Sequence, residues 1–230
     1  MEPVRVGQRP AVFGHRGGEG GPENSLEAIR SSVDAGADGV EIDVQVLPDG
    51  QVVLGHDPID SSLPTAADRV TLADLLETVG ELKIQLLIDF KSVGDPRHEA
   101  GVIAAALVDH KMMDNLIISS FSVPFLQQLR SLAPNLELLP IVSLRQNFPQ
   151  PANRDSWSGM SVLAAALFVN PLLAARLRKH DRRLLVWFGA TEWSFVIRLV
   201  TRLGAEVLIV SKIATALGLL SPDPVATDPA

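Results

Sequence analysis

Hydrophobic residues follow a regular pattern along the first quarter of the chain. Apolar residues fill positions 11–13 and 52–54, recur at helical spacing between positions 26 and 33, and alternate with polar residues from 40 to 46. Alternation with a period of two is typical of a strand, and recurrence every three or four residues is typical of a helix. The pattern therefore predicts the order strand, helix, strand and short strand.

The predicted helix has recognisable ends. Asn24 stands at the N-cap position, Glu27 follows three residues later as a capping-box partner, and Gly36 closes the helix. A glycine-rich run over residues 17–21 precedes it, and glycine lets the backbone pass close to a ligand. These signals predict a strand, a ligand-binding loop and a helix as one unit.

Helical and strand-like segments continue to alternate along the rest of the chain. Helices are predicted over residues 71–79, 98–110 and 123–132, strands over 84–90, 116–120 and 136–142, and further strand and helix signals over 162–169, 172–179, 184–187, 193–203 and 207–210. Repeated units of this kind imply a parallel sheet, and their number suits an eight-stranded α/β barrel. We expect one domain over residues 1–220, a loop over the barrel mouth at 143–161, and a disordered tail from Ser221 to Ala230.

Composition and charge narrow the class of protein. The chain has 230 residues, 47% of them hydrophobic, which suffices for one large core. Its net charge of −7 argues against nucleic acid as a partner, and no apolar run is long enough to predict stable insertion in a membrane. The N-terminal residues lack the apolar core of a signal peptide, so we expect a cytoplasmic protein. The absence of cysteine excludes thiolate chemistry, and the oligomeric state stays open.

Polar residues cluster where the predicted strands end. His15 and Arg16 follow the first strand, and His56 follows the short third strand. Glu41 and Asp43 project from the same face of the second strand with stems about 7 Å apart, a separation that two carboxylates can close around one divalent cation. The alternative is a half-exposed strand whose polar face meets water, because paired acidic residues on strands are common.

The same region carries a distinctive order of short motifs. Along the chain come HRG, PEN, a helix ending in GAD, EIDV, a DG turn and GHDP. This order resembles the glycerophosphodiester phosphodiesterase family, which shares its barrel with phosphatidylinositol-specific phospholipases C. The resemblance is clear over residues 11–91 and weaker up to residue 210. It implies a (β/α)8 TIM barrel and a metal-dependent enzyme that hydrolyses a small-molecule glycerophosphodiester to glycerol 3-phosphate and an alcohol.

The resemblance also implies how the charged residues act. Glu41, Asp43 and Asp89 would hold one divalent cation, Mg²⁺ or Ca²⁺, with Asp89 in place of the usual glutamate. Arg16 and Lys91 would balance the charge of the phosphate. The alternative for Asp89 and Lys91 is a surface ion pair of little energetic weight.

The remaining candidates would act on protons or bind the substrate. His15 and His56 would serve as general acid and general base, in either order. Glu23 is expected to be a fourth acidic ligand or a partner of the phosphate-binding arginine. Phe121 and Trp187 resemble family positions at the barrel mouth, where they would contact substrate, and the alternative for both is a place in the core.

The chain departs from the family pattern at two places. Only fourteen residues separate His56 from Thr71, so the insertion that usually follows the second β unit is shortened. Ser211 stands where an aspartate is expected near the end of the last strand. These departures leave open a barrel that binds a phosphorylated ligand without turnover. A phospholipase D-like lyase acting on choline lipids also stays open, because such lyases resemble this family in their two histidines and acidic cluster.

Overall fold

Strands and helices alternate along the computed structural model of the chain, which describes residues 9–59, 69–108, 115–144, 157–189 and 192–221. The strands are β1 (Ala11–Gly14), β2 (Gly39–Val46), β3 (Val52–Leu54), β4 (Gln85–Phe90), β5 (Leu116–Ser120), β6 (Glu137–Val142), β7 (Gly159–Leu163), β8 (Arg183–Trp187) and β9 (Val207–Val210). The helices are α1 (Leu26–Asp34), α2 (Leu72–Leu82), α3 (Pro96–Val108), α4 (Val123–Leu132), α5 (Ala164–Val169), α6 (Leu172–Lys179), α7 (Ser194–Arg202) and α8 (Ile213–Leu220). Within these ranges, no helix combines the length and the apolarity needed to cross a bilayer.

All the strands except β3 close into a parallel barrel. Hydrogen bonds join β1, β2, β4, β5, β6, β7, β8 and β9 in that order, and β9 pairs again with β1. The short strand β3 pairs antiparallel with the last residues of β2, beyond the two residues of β2 that pair with β1. The closed sheet and its flanking helices confirm the predicted (β/α)8 TIM barrel.

Apolar side chains fill the barrel and cover its outer surface in separate layers. The inner layer consists of Phe13, Leu87, Ile117, Leu139, Leu185, Val207 and Ile209. Two outer clusters pack the strands against helices, one mainly on α1 to α4 and the other mainly on α5 to α8. On β4 the alternation is the predicted one, because Leu86 and Ile88 belong to an outer cluster and Leu87 to the inner layer. The inner layer forms an apolar floor beneath the polar residues at the carboxyl ends of the strands.

The first helix begins one residue later than predicted. Its N-cap is Ser25, whose hydroxyl accepts the N–H of Ala28 at 3.1 Å, so the capping box expected for Asn24 and Glu27 does not form. Asn24 instead has a left-handed φ of 58° and directs its amide to β2. Gly36, with φ 89°, follows the end of the helix as predicted.

The loop predicted over residues 143–161 is in part a strand. Its last residues begin β7, and the glycine at its start is required because a Cβ on Gly159 would lie 2.3 Å from the carbonyl oxygen of Arg183. The prediction is wrong for residues 159–161, because the prolines and the glycine of this stretch are also signals of irregular structure. Residues 145–156, the shortened insertion at 60–68 and the tail from 222 onward lie outside the described residues.

A methyl group added at Gly159 should destabilise the protein. We expect Gly159→Ala to lower the free energy of unfolding by about 1–3 kcal/mol, because the new Cβ overpacks the β7–β8 contact. The matched control is Gly101→Ala on α3, where a Cβ meets nothing within 4 Å. This substitution should raise the free energy of unfolding by about 0.5–1 kcal/mol, because glycine is unfavourable within a helix. Urea denaturation measures both, and equal effects of the two substitutions would contradict the close approach at β7.

Candidate active site

A pocket opens at the carboxyl ends of the barrel strands and collects most of the candidate residues. Its lining consists of His15, Arg16, Glu41, Asp43, His56, Leu87, Asp89, Lys91, Ser119, Phe121, Ile141, Ser161, Trp187 and Ile209. Of the site residues predicted from sequence, all but Glu23 are in this lining. The structure therefore brings together side chains that are separated by more than 170 positions along the chain.

Three carboxylates meet on the wall formed by β2 and β4. Asp43 and Asp89 are direct neighbours in the register of these strands, and Glu41 lies two residues earlier on the same face of β2. One oxygen from each of the three lies within 4.8 Å of the others. Glu41 and Asp43 are almost completely buried, 4% and 1% exposed. The alternative of a strand face in contact with water is therefore wrong.

The proximity of these acids alters their protonation. Burial, with the nearby charges of Asp43 and Asp89, raises the pKa of Glu41 well above its usual range. Burial also raises the pKa of Asp89 to about 6, against the opposing charge of Lys91. One oxygen of Asp89, Oδ1, is buried without a hydrogen bond. Further positive charge beside the cluster would therefore stabilise the ionised forms of these carboxylates.

Two cationic side chains already lie against the cluster. Lys91 Nζ is 2.8 Å from Asp43 Oδ1 and 2.5 Å from Asp89 Oδ2, and Arg16 Nε is 3.1 Å from Asp43 Oδ2. Burial alone would lower the pKa of Lys91, but the charges and hydrogen bonds of Asp89 and Asp43 outweigh it and raise that pKa. The side chains of Lys91 and Asp89 are only 14% and 13% exposed, so their contact is not a surface ion pair.

The two histidines differ in their surroundings. His15 begins a 3₁₀ turn directly after β1 and is half-buried, and burial followed by the charge of Arg16 lowers its pKa. His56 follows β3 with an exposed side chain, and its Nδ1 lies 2.8 Å from Asp57 Oδ1. At neutral pH the surroundings of His15 therefore favour the neutral imidazole, which can accept a proton.

The loop that carries His15 is tied to the acidic wall. The backbone N–H of Arg16 donates to Glu41 Oε2 at 2.8 Å, and the N–H of Asn24 donates to the carbonyl of Arg16 at 2.8 Å. Arg16 has a left-handed φ of 52°, and Ser32 donates its hydroxyl to the carbonyl of Gly17. The acid that would bind a cation thus also fixes the turn that presents the first histidine.

Asn24 is a site residue that the sequence pattern assigned to another task. Its Nδ2 donates to Asp43 Oδ2 at 3.0 Å, and its Oδ1 accepts the backbone N–H of Asp43 at 2.9 Å. The first bond holds the carboxylate oxygen of Asp43 that Lys91 does not contact, and the second holds its backbone. The available signal was its place beside Glu23 within the PEN motif, at the end of a glycine-rich run.

Glu23 lies at the edge of the site. Its Oε2 is 2.7 Å from Arg16 Nη1, and its side chain is 67% exposed. It does not belong to the group of carboxylates that could hold a metal among the described residues. Of the two expected roles, the geometry favours a partner of the arginine over a fourth acidic ligand.

Two aromatic side chains form an uncharged part of the pocket wall. Phe121 and Trp187 meet edge to face with ring centroids 6.4 Å apart, and Lys91 Nζ lies 6.0 Å from the centroid of Phe121. Phe121 is 39% exposed and the indole Nε1 of Trp187 is buried without a hydrogen bond. These rings therefore line the opening, and the alternative of ordinary core aromatics does not describe them.

The segment that follows β9 is held by a carboxylate from another loop. Glu192 accepts the backbone N–H groups of Ser211 and Lys212, the latter at 3.1 Å. It also lies close enough to His15 for its charge to oppose the lowering of that histidine's pKa. A glutamate from the loop after β8 thus lies beside Ser211, the position at which an aspartate was expected.

Comparison with known proteins agrees with this site. A model of the glycerophosphoryl diester phosphodiesterase family matches residues 15–80. A glycerophosphodiester phosphodiesterase of Caldanaerobacter subterraneus is 29% identical over 157 residues, 55% of this chain and 64% of that protein. The Bacillus subtilis protein YqiK is 30% identical over 161 residues, 57% of this chain and 66% of its own length. The chain thus spans slightly less than two thirds of both relatives.

Solved structures match a larger part of the chain. A glycerophosphodiester phosphodiesterase of Parabacteroides distasonis has a TM-score of 0.82 at 19% identity and covers 92% of this chain and 97% of its own. A phosphodiesterase of Oleispira antarctica, in complex with the product sn-glycerol-3-phosphate, has a TM-score of 0.80 at 18% identity and covers 92% and 96%. At these identities the likeness establishes the barrel fold.

Without a bound cation, the protein should lose stability as the pH rises through the range in which Asp89 ionises. The ordinary pKa of this group is 3.8 and its pKa in the fold is about 6, so between these values the folded state binds more protons. The stabilisation is complete below the lower value and is lost through the upper one. It amounts to at most about 3 kcal/mol, since one pKa unit corresponds to about 1.4 kcal/mol.

Urea denaturation across this pH range, in excess chelator, measures the effect. The control is Asp89→Asn, which removes the titration of Asp89 and lessens the like-charge repulsion on Glu41, so its stability should depend less steeply on pH. If the wild-type protein and Asp89→Asn vary with pH in parallel, the raised pKa of Asp89 is wrong.

Proposed function

We propose, from the premise that this chain belongs to the glycerophosphodiester phosphodiesterase family, that it hydrolyses glycerophosphodiesters to glycerol 3-phosphate and an alcohol. One observation carries the proposal: two histidines, two cationic side chains and three acidic side chains line a single pocket at the carboxyl ends of the strands. The name of the Caldanaerobacter relative and the product bound to the Oleispira enzyme support it.

The acidic cluster fits a resident divalent cation. Glu41, Asp43 and Asp89 offer only oxygen ligands, their oxygens lie within 4.8 Å of one another, and Asp89 Oδ1 lacks a hydrogen bond. Oxygen-only ligation favours hard cations, so these residues would hold one Mg²⁺ or Ca²⁺. Such an ion would supply positive charge to the phosphate oxygens of a bound diester.

Charged and aromatic residues would bind the rest of the substrate. Arg16 and Lys91 face the pocket and would balance the remaining phosphate charge, which a diester retains throughout the reaction. Glu23 would keep the arginine in place through their ion pair. Phe121 and Trp187 would contact the alcohol or the glycerol, with the free indole N–H of Trp187 able to donate to a hydroxyl.

The histidines would move the protons. His15, whose lowered pKa favours the neutral form, would take the proton of the attacking hydroxyl or water. His56, which follows β3, would protonate the departing alkoxide. Assay of the products separates this reaction from its alternatives, because a lyase gives a cyclic phosphate as final product and a binding barrel gives no turnover.

Loss of one buried acid should abolish both cation binding and turnover. We expect Asp43→Asn to lose measurable divalent-cation binding by calorimetry and to lose activity on glycerophosphocholine, because its carboxylate is the central member of the cluster. Asp34→Asn, an exposed acid at the end of α1, is the matched control and should behave as wild type. Full turnover of wild-type protein in excess chelator would refute the metal assignment.

Substitution of either histidine should slow the chemical step. We expect His15→Ala and His56→Ala each to reduce kcat by roughly 10²- to 10⁴-fold, the usual contribution of general acid–base groups. The double variant should lose less than the product of the two factors, because the residues act in one step. His98→Ala on the exposed side of α3 controls for loss of a histidine as such. A variant that keeps the wild-type kcat would show that its histidine is structural.

A further inference from the structure

The third polar residue on the inner face of β2 has no role in the site described above. Gln45 follows Glu41 and Asp43 at the same two-residue spacing and is only 1% exposed. Its amide makes three hydrogen bonds: Nε2 donates to the carbonyl of Gly55 at 2.9 Å and to the carbonyl of Asp57 at 2.9 Å, and Oε1 accepts the N–H of Ile59 at 3.2 Å.

The two carbonyls that Gln45 binds belong to the residues on either side of His56. A single NH₂ group thus holds the backbone before and after the exposed histidine, while the N–H of Gly55 donates to the carbonyl of Asp43 at 3.0 Å. The imidazole itself is 42% exposed, and its Nδ1 contacts the carboxylate of the adjacent and exposed Asp57. The position of the ring therefore depends on how the backbone of its loop is held.

Glutamine is suited to this task for a chemical reason. A primary amide offers two donors and an acceptor from one planar group, which matches two carbonyls and one N–H on the same loop. Asparagine is one methylene shorter, methionine has no donor, and glutamate would direct negative charge at both carbonyl oxygens. Because the hydrogen bond to Gly55 is buried, loss of the amide would leave that carbonyl without a partner and without water to replace it.

We propose that Gln45 is the positioning residue for His56, an inference that rests on the proposed function of that histidine. The side chain does not reach the substrate pocket lining and acts through the loop. Strand β2 carries the acids and, through Gln45, holds the loop of His56. It therefore sets the distance between the acid cluster and this histidine. Loss of the amide should displace His56 while leaving Glu41, Asp43 and Asp89 in place.

The test is a double-mutant cycle with one matched control variant. Gln45→Met should reduce kcat on glycerophosphocholine by roughly 10- to 100-fold, since a displacement of about 1 Å at a catalytic group can have such an effect. KM and divalent-cation affinity, measured by calorimetry, should stay near wild-type values. Gln51→Met, the same change at an exposed position of the β2–β3 turn, should have no effect.

The cycle with His56→Ala distinguishes positioning from general destabilisation. If Gln45 acts through His56, then Gln45→Met should cause no further loss in the His56→Ala background, whereas it should still lower kcat in the His15→Ala background. Equal losses in the wild-type and His56→Ala backgrounds would overturn the inference, as would wild-type kcat in Gln45→Met.

A spectroscopic measurement keeps this test separate from the proposed function. The imidazole ¹H–¹³C signal of His56, assigned with His56→Ala, should shift or broaden in Gln45→Met and stay unchanged in Gln51→Met. Full activity of His56→Ala would contradict the proposed function. An unchanged His56 signal in Gln45→Met would refute the positioning role of Gln45. If Gln45→Met does not fold, Gln45→Glu replaces it, because the ionised carboxylate has nearly the same shape and lacks both donors.

Discussion

Three carboxylates buried together at the mouth of the barrel are the feature on which the rest of the site depends. Burial disfavours the ionised forms of Glu41 and Asp89, and the charges of neighbouring carboxylates add to this effect, so the pKa values of both groups are raised. Lys91, Arg16 and the amide of Asn24 compensate for part of it, but Asp89 Oδ1 stays without a hydrogen bond. The fold therefore maintains a concentrated negative charge that suits a cation, at a place where the apolar floor excludes water from below.

Strand β2 couples this charge to the loops around it. Its inward side chains repeat every two residues, and each one reaches a different segment: Glu41 binds the turn after β1, Asp43 binds Asn24 before α1, and Gln45 binds the loop after β3. Both histidines are thereby placed relative to the acids by a single rigid element. This arrangement is possible because β1 pairs with only the first two residues of β2, which leaves the later residues free to pair with β3.

The sequence predicted the parts of the site that depend on local periodicity. Alternation along β2 and β4 placed Glu41 with Asp43, and Asp89 with Lys91, on shared faces, since a strand fixes the direction of its side chains whatever surrounds it. Asn24 was misassigned because asparagine is equally suited to cap a helix and to bind a carboxylate, and only the distance to Asp43 distinguishes the two. Gly159 was read as part of a turn because its real constraint, the close approach of β8, lies 24 residues further along the chain.

The pocket is divided between the two halves of the chain. Its charged and titrating residues all come from the first 91 residues, in the region that resembles the family most closely, whereas Phe121, Ile141, Trp187 and Ile209 contribute a largely uncharged wall from the remainder. Under the proposed function, a phosphodiester with its phosphate at the acids would place an organic group against that wall. Because such contacts are mostly apolar, the wall could change in shape without altering the charged residues. This division explains why the charged residues of the pocket follow the family pattern whereas the later strands depart from it.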